Sequence, residues 1–205
     1  MDRTEAAYAA YSVATIQMLV PTITTERLTL RAYELGDVRE LTHLIGAREV
    51  AANLLRLPYP YSEQDARAFI CATEQSGEAR FAVALSGQER LIGGIGLRIQ
   101  PAQARAELGY WLGLPYWGCG YATEAARAVI AYGFDILELD SIHASVFREN
   151  VRSAEVLRKI GMRPEGCSRP RVLKWNRFVD LELYGIMRAE WKSPPAPRAW
   201  RPHTS

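Results

Sequence analysis

The sequence predicts an α/β sandwich, with helices packed on the two faces of a mixed sheet. Three observations predict it. Short strand-like segments separated by turn residues occupy the first half, at residues 27–31, 81–85 and 91–97. From residue 107 onward the order becomes strand, helix, strand, helix, strand. Between the first of those strands and its helix stands a turn punctuated by Gly118 and Gly120.

Taken in order, residues 1–20 read as a loosely attached helix or a partly disordered arm. Their apolar run raises the question of a signal peptide, but Asp2 and Glu5 offset Arg3, and Tyr, Ser, Thr and Gln interrupt it. Residues 27–31 (RLTLR) alternate and form a strand. Asp37 is placed to cap a short helix through Leu41, Leu44 and Ile45. Residues 53–61 carry Pro58 and Pro60 among aromatics and read as a loop on the substrate side. Ser62 and Asp65 then open a second helix as a capping box, running to about Glu74. Strands at 81–85 and 91–97 flank the turn 86–89, and the glycines at 93, 94 and 96 lie within a strand because no helix follows them.

The stretch 107–125 (ELGYWLGLPYWGCGYATEA) organises the rest. Its first part is a strand ending at Pro115. Its last part begins a helix with apolar residues at Ala122, Ala125, Val129, Gly133 and Ile136. Gly118 and Gly120 permit a sharp turn and the close approach of a ligand. A helix N-terminus reached this way leaves several amides unpaired on one spot, and the helix dipole favours an anion there. The stretch reads as a phosphate cradle, or, without a ligand, as a tight strand-to-helix connection. Beyond it, residues 142–147 are a strand, Asn150 caps a helix that Gly161 ends, and strands close the domain near 171–175 and 178–186. The domain spans 23–192, with an extension at 1–22 and a proline-rich tail at 193–205.

Composition bounds the function. A chain of 205 residues, 48% apolar and 23% charged, suits one stable domain. A net charge of +2 without a long basic run argues against a nucleic-acid partner. Cys71, Cys119 and Cys167 have neither disulfide nor metal-ligand spacing. No apolar run reaches the ~20 residues that span a bilayer. The expectation is a cytoplasmic protein, monomer or homodimer, without a metal or a membrane partner.

The segment ELGYWL followed by YWGCGYATEA resembles the acyl-CoA-binding segment of GNAT-superfamily N-acetyltransferases, in particular the RimJ/RimL-type branch. Of the wider pattern Arg/Gln-x-x-Gly-x-Gly/Ala, Gly120 and Ala122 match the last two positions, and Trp117 stands in the first, as is usual in that branch. The resemblance covers residues 25–191. It implies a mixed, mostly antiparallel sheet of about seven strands with about four helices, acetyl-CoA as co-substrate, and an amine acceptor (a protein N-terminal α-amino group or a small molecule). It also implies direct attack in a ternary complex, the pantetheine arm lying along 107–112 where that strand parts from the next at a bulge.

The residues then take provisional roles. The backbone of Gly118, Cys119, Gly120, Tyr121, Ala122 and Thr123 would hold the pyrophosphate, with Trp117 counted among the cofactor-binding residues, and the backbone of Tyr110, Trp111 and Leu112 would hold the pantetheine arm. The resemblance makes the amide of Trp111 or Leu112 the oxyanion donor. Glu107 is the candidate base, since an amine must shed a proton before it attacks; it reads equally as a strand glutamate paired with Arg105 or another cation. Ser153 is the candidate acid. It shares a face with Leu157 and Ile160, so its hydroxyl needs a partner: the carbonyl one turn back or the CoA sulfur. Leu157 stands where many relatives carry an acidic tyrosine. Asn150 would contact the CoA arm, and Arg158 with Lys159 the adenosine phosphates, unless both are solvated. His143 reads as structural, and Cys119 carries no sign of an activated thiol. A non-catalytic acyl-CoA-binding module, or an interaction protein whose turn holds nothing, are the other readings.

Overall fold

The strand-like segments pair into one sheet, and the helices cover both of its faces. The computed structural model describes residues 20–73, 78–192 and 199–201. Most of the expected extension and tail, and Glu74 at the expected helix end, lie outside them. The strands are β1 Thr22–Thr24, β2 Leu28–Arg31, β3 Glu78–Leu85, β4 Leu91–Gln100, β5 Arg105–Leu112, β6 Ser141–Phe147, β7 Arg163–Lys174, β8 Arg177–Met187 and β9 Ala199–Arg201. The α-helices are α1 Val38–Ile45, α2 Arg48–Ala51, α3 Glu63–Thr73, α4 Tyr121–Asp135 and α5 Val151–Lys159.

The sheet order is β7-β8-β6-β5-β4-β3-β2-β1-β9. Only β5 and β6 pair in parallel; the other neighbours are antiparallel. Among the described residues the sheet has nine strands: to the seven read from the sequence it adds β1 and β9, three residues each and too short to show a period. β7 begins at Arg163, well before residue 171. Its Pro164, Pro170 and Gly166 obscure the strand in sequence, and they are tolerated because β7 is an edge.

Side-chain alternation divides the core. On one face Phe81, Ile95, Leu97, Leu108 and Ile142 pack beneath Val129, Ile130 and Leu157 of α4 and α5. On the other, Ala82 and Leu91 pack with Val38, Leu41, Ala66 and Ile70 of α1 and α3. Ile136, expected on the inner face of α4, lies past its last turn and is 48% exposed.

Local chemistry sets the helix ends. Ser62 and Asp65 form the expected reciprocal box: the Asp65 carboxylate accepts from the Ser62 amide at 2.8 Å, and the Asp65 amide donates to the Ser62 hydroxyl at 3.2 Å. The Asn150 side chain accepts from the Ser153 amide at 3.1 Å. Gly161, at φ +93°, ends α5 with the Gly161 amide on the Arg158 carbonyl and the Met162 amide on the Leu157 carbonyl. Asp37 departs from expectation. Its buried carboxylate points away from the helix it precedes, accepting from the Glu34 amide and from both terminal nitrogens of Arg31 at 2.7 and 2.8 Å.

The start of α4 is tied to the β1–β2 turn by Glu124. Its carboxylate accepts from the Thr25 hydroxyl at 2.7 Å, the Arg27 amide at 2.8 Å and the Arg27 Nε at 2.7 Å. Burial alone would raise this carboxyl; the hydrogen bonds outweigh it and hold it below the usual carboxylate range. A carboxyl depressed by folding stabilises above its unfolded pKa, and the contribution fades as pH falls through the folded value. Glu124→Ala is therefore expected to lower stability by about 1–3 kcal/mol at neutral pH. In urea unfolding the gap to the parent should narrow below about pH 4.

Candidate active site

β5 and β6 share only three pairs, Arg105 with Ser141, Ala106 with Ile142 and Glu107 with His143. Beyond Glu107 the strands part, while β5 stays in unbroken register with β4 as far as Gly93–Leu112 and β6 with β8 as far as Phe147–Leu181. The expected bulge in β5 is therefore absent; divergence from β6 alone opens the gap. It forms part of a cleft of about 1030 Å³ lined from both faces of the sheet.

Register decides which β5 amides face the gap. The Gly113 amide donates to the Ile92 carbonyl of β4 at 2.9 Å. Antiparallel pairs alternate between bonded and non-bonded positions, so Trp111 also bonds toward β4, whereas Tyr110 and Leu112 turn their amides to the gap. Of the two expected oxyanion donors, Leu112 is the one so placed. Its carbonyl accepts from the Trp117 indole at 2.7 Å, which fastens the following turn to the strand end.

At the far end of the cleft, Gly118 and Gly120 adopt left-handed backbone at φ +76° and +82°. No acceptor is found among the described residues for the amides of Cys119 to Thr123. A Cβ at Gly118 would meet nothing within 4 Å. Five free amides at the head of a four-turn helix fit a diphosphate. Arg27 braces the turn from behind through the Cys119 carbonyl at 3.0 Å, and Arg152 lies 5.4 Å over the Trp117 ring. The Cys119 side chain is exposed and does not line the cleft.

Glu107 and Ser153 reach this cleft from opposite faces of the sheet. The nearest cation to Glu107 is Arg98, at 3.5 Å; Arg105 turns to Gln100 instead. The Ser153 hydroxyl bonds not to the carbonyl one turn back but to the Tyr110 hydroxyl at 2.7 Å, which is also 3.0 Å from the Ser153 carbonyl. Burial, partly offset by this hydrogen bond, pushes the Tyr110 hydroxyl up to about 12, so it stays protonated at any working pH. Burial likewise lowers His143, with Glu107 opposing it, and favours neutral imidazole beside the carboxylate. Asn150 lines the cleft, but Arg158 does not. The Arg158 guanidinium donates to the Tyr184 hydroxyl at 2.8 Å, and Arg152 and Lys159 are the helix cations at the cleft.

The cleft is walled on the side of α1 and α3 by residues 53–58 and Tyr61. The β7–β8 turn clasps this wall through the buried Lys174, whose ammonium donates to the Leu54 carbonyl at 2.6 Å, and through Trp175, 4.7 Å from the Tyr59 ring. Glu78, Arg80 and Arg98, none singled out by sequence, stand near Glu107 on this side; only strand register reveals them.

The acetyltransferase (GNAT) domain family matches residues 27–163, most of the chain. The chain belongs to the GNAT acetyltransferases. This GNAT protein is 33% identical over 170 residues to an uncharacterized N-acetyltransferase of Bacillus subtilis, YnaD, covering 82% of this chain and 98% of that one. A GNAT acetyltransferase of Bacillus anthracis superposes with a TM-score of 0.75 at 30% identity, covering 82% and 99% of the two chains. The spermidine N-acetyltransferase of Vibrio cholerae, solved with CoA and spermine, gives a TM-score of 0.71 at 26% identity over 80% and 96%. The protein is accordingly an acyltransferase with acetyl-CoA as co-substrate.

Gly120→Ala is expected to cost about 1–2 kcal/mol, since alanine is strained at φ +82° and its Cβ would stand 3.3 Å from the Arg27 guanidinium. Thermal denaturation without ligand measures this, and the loss should exceed that of Ala128→Gly at mid-helix.

Proposed function

We propose that the protein is an N-acetyltransferase of RimJ/RimL type, transferring an acetyl group from acetyl-CoA to a primary amine by direct attack in a ternary complex. The observation that carries this reading is the parting of β5 from β6 directly after Glu107, which exposes two strand amides between a carboxylate and a serine hydroxyl. The amides of residues 119–123 would hold the diphosphate, with Arg152 and Lys159 beside it. The open edge of β5 would receive the pantetheine arm as an added strand, and Asn150 would contact it from α5.

In this site the acceptor ammonium gives a proton to Glu107, directly or through one water. The neutral nitrogen attacks the thioester carbon, a C–N bond forms and the C–S bond breaks. The Leu112 amide stabilises the charge developing on the carbonyl oxygen. The departing thiolate takes a proton from the Ser153 hydroxyl, which recovers one from the solvent side of the cleft. Tyr110 holds that hydroxyl in place, so it is a positioning residue. Of the three ammonium protons the amide product keeps one; Glu107 passes the first to water, then takes the third from the attacking nitrogen and returns that to water as well. The acceptor is a protein N-terminal α-amino group or a small amine.

Release of CoA thiol against a panel of peptides and amines tests the reading; a protein that binds acetyl-CoA but turns over no amine contradicts it. Ser153→Ala should lower kcat about 100-fold and leave the acetyl-CoA Kd within about twofold. Gly120→Val should reverse the pattern, raising Kd. Glu107→Gln should lose about 100-fold at neutral pH, and recover as pH approaches the pKa of the amine, near 8 for an α-amino group.

A further inference from the structure

The acceptor half of the cleft has a floor ordered by strand register. Glu78, Arg98, Glu107 and His143 lie side by side across β3, β4, β5 and β6. The next row is Arg80, Gly96 and Gly109, and the one after it Ala82, Gly94 and Trp111. Because alternate residues share a face, all three rows look toward α1 and α3. The open position of the middle row is Gly109, where a Cβ would meet nothing within 4 Å; at Gly96 a Cβ would already meet the Ala79 carbonyl and Arg80. A Cβ at Gly94 would collide with the Tyr33 hydroxyl and the Trp111 indole, so these two rings close the far side of the open patch. Phe69 stands under the Arg80 guanidinium at 5.0 Å and meets Tyr33 edge-on at 5.2 Å.

The charges around this patch are unequally committed. Glu78 accepts from the Nε of both Arg80 and Arg98 at 2.7 Å, so it is neutralised by two partners. Asp65 at the rim is held by the Ser62 amide and hydroxyl. Glu107 has only the 3.5 Å contact with Arg98. Both terminal nitrogens of Arg80 and one of Arg98 have no acceptor among the described residues. The patch therefore offers one carboxylate for an ammonium and, immediately beside it, a pair of guanidinium edges for an oxyanion. It does not offer the several free carboxylates that a polyamine needs.

Building on the catalytic reading above, we infer that the acceptor is a free α-amino acid with an apolar side chain. Its amine and carboxylate are separated by a single carbon, so one molecule can reach both Glu107 and Arg98, which stand 3.5 Å apart. The amine lies against Glu107, at the point where β5 and β6 part, and the carboxylate against Arg80 and Arg98. The side chain covers the glycine floor between Phe69, Tyr33 and Trp111. A peptide N-terminus, whose carboxyl is already an amide, leaves the guanidinium pair without its anion.

Calorimetric titration of the full chain saturated with CoA tests this. The probes are L-phenylalanine, L-leucine and L-methionine, their three amides, phenethylamine and spermidine, each also assayed for acetyl transfer. Each free acid is expected to bind about tenfold or more tightly than its amide. Arg80→Gln should reduce that preference below about threefold, and Gly109→Val should abolish acid binding while CoA affinity stays within about twofold. Equal binding of acids and amides, or tightest binding of spermidine, overturns the inference. Selective binding of the acids without acetyl transfer upholds it and contradicts the catalytic reading instead.

Discussion

The site depends on an interruption in the sheet. β5 is hydrogen-bonded to β4 along its whole length and β6 to β8 along its whole length, yet the two blocks touch through three residue pairs. A parallel pair inside an otherwise antiparallel sheet is the place where such a seam can open, because each strand keeps a full ladder on its other side. What holds it open is side-chain chemistry. Tyr110 reaches from β5 to Ser153 at the start of α5, and Trp117 folds back onto the last β5 carbonyl. Two unpaired strand amides then persist next to a cleft, where they would otherwise be costly.

The same seam brings the two faces of the sheet to one point. Ser153 and Tyr110 belong to the face covered by α4 and α5, whereas Glu107, Arg98 and Arg80 belong to the face covered by α1 and α3. The two ends of the cleft are thus built from different layers of the fold. The turn after Trp117 is fixed independently, through Glu124 to Thr25 and Arg27, so the amides at the head of α4 are anchored to the β1–β2 turn and do not rely on a ligand for their position.

Local features of this arrangement were legible in the sequence. Gly118 and Gly120 do adopt the left-handed backbone that a tight strand-to-helix turn demands, and Asn150, Ser62 and Gly161 cap as their residue types suggest. Long-range pairing was not legible. Ser153 and Tyr110 are 43 residues apart, and no periodicity pairs them. The row of Glu78, Arg98 and Glu107 exists only through register, which three separate strands set together. Arg158 and Lys159 differ by one residue, a turn of about 100° on a helix; that rotation sends the first to Tyr184 and leaves the second at the cleft. β7 was hidden in part because prolines are read as breaks, and an edge strand tolerates them.

The central claim is that Tyr110, Leu112 and residues 119–123 present free amides to one ligand. Residue-resolved amide hydrogen exchange, with and without CoA, measures this directly. The account predicts fast exchange at these positions in the free protein, beside protected neighbours such as Trp111, and marked slowing of the whole set when CoA binds. Protection of Tyr110 and Leu112 in the free protein, or slowing at 119–123 without any change on β5, would contradict it.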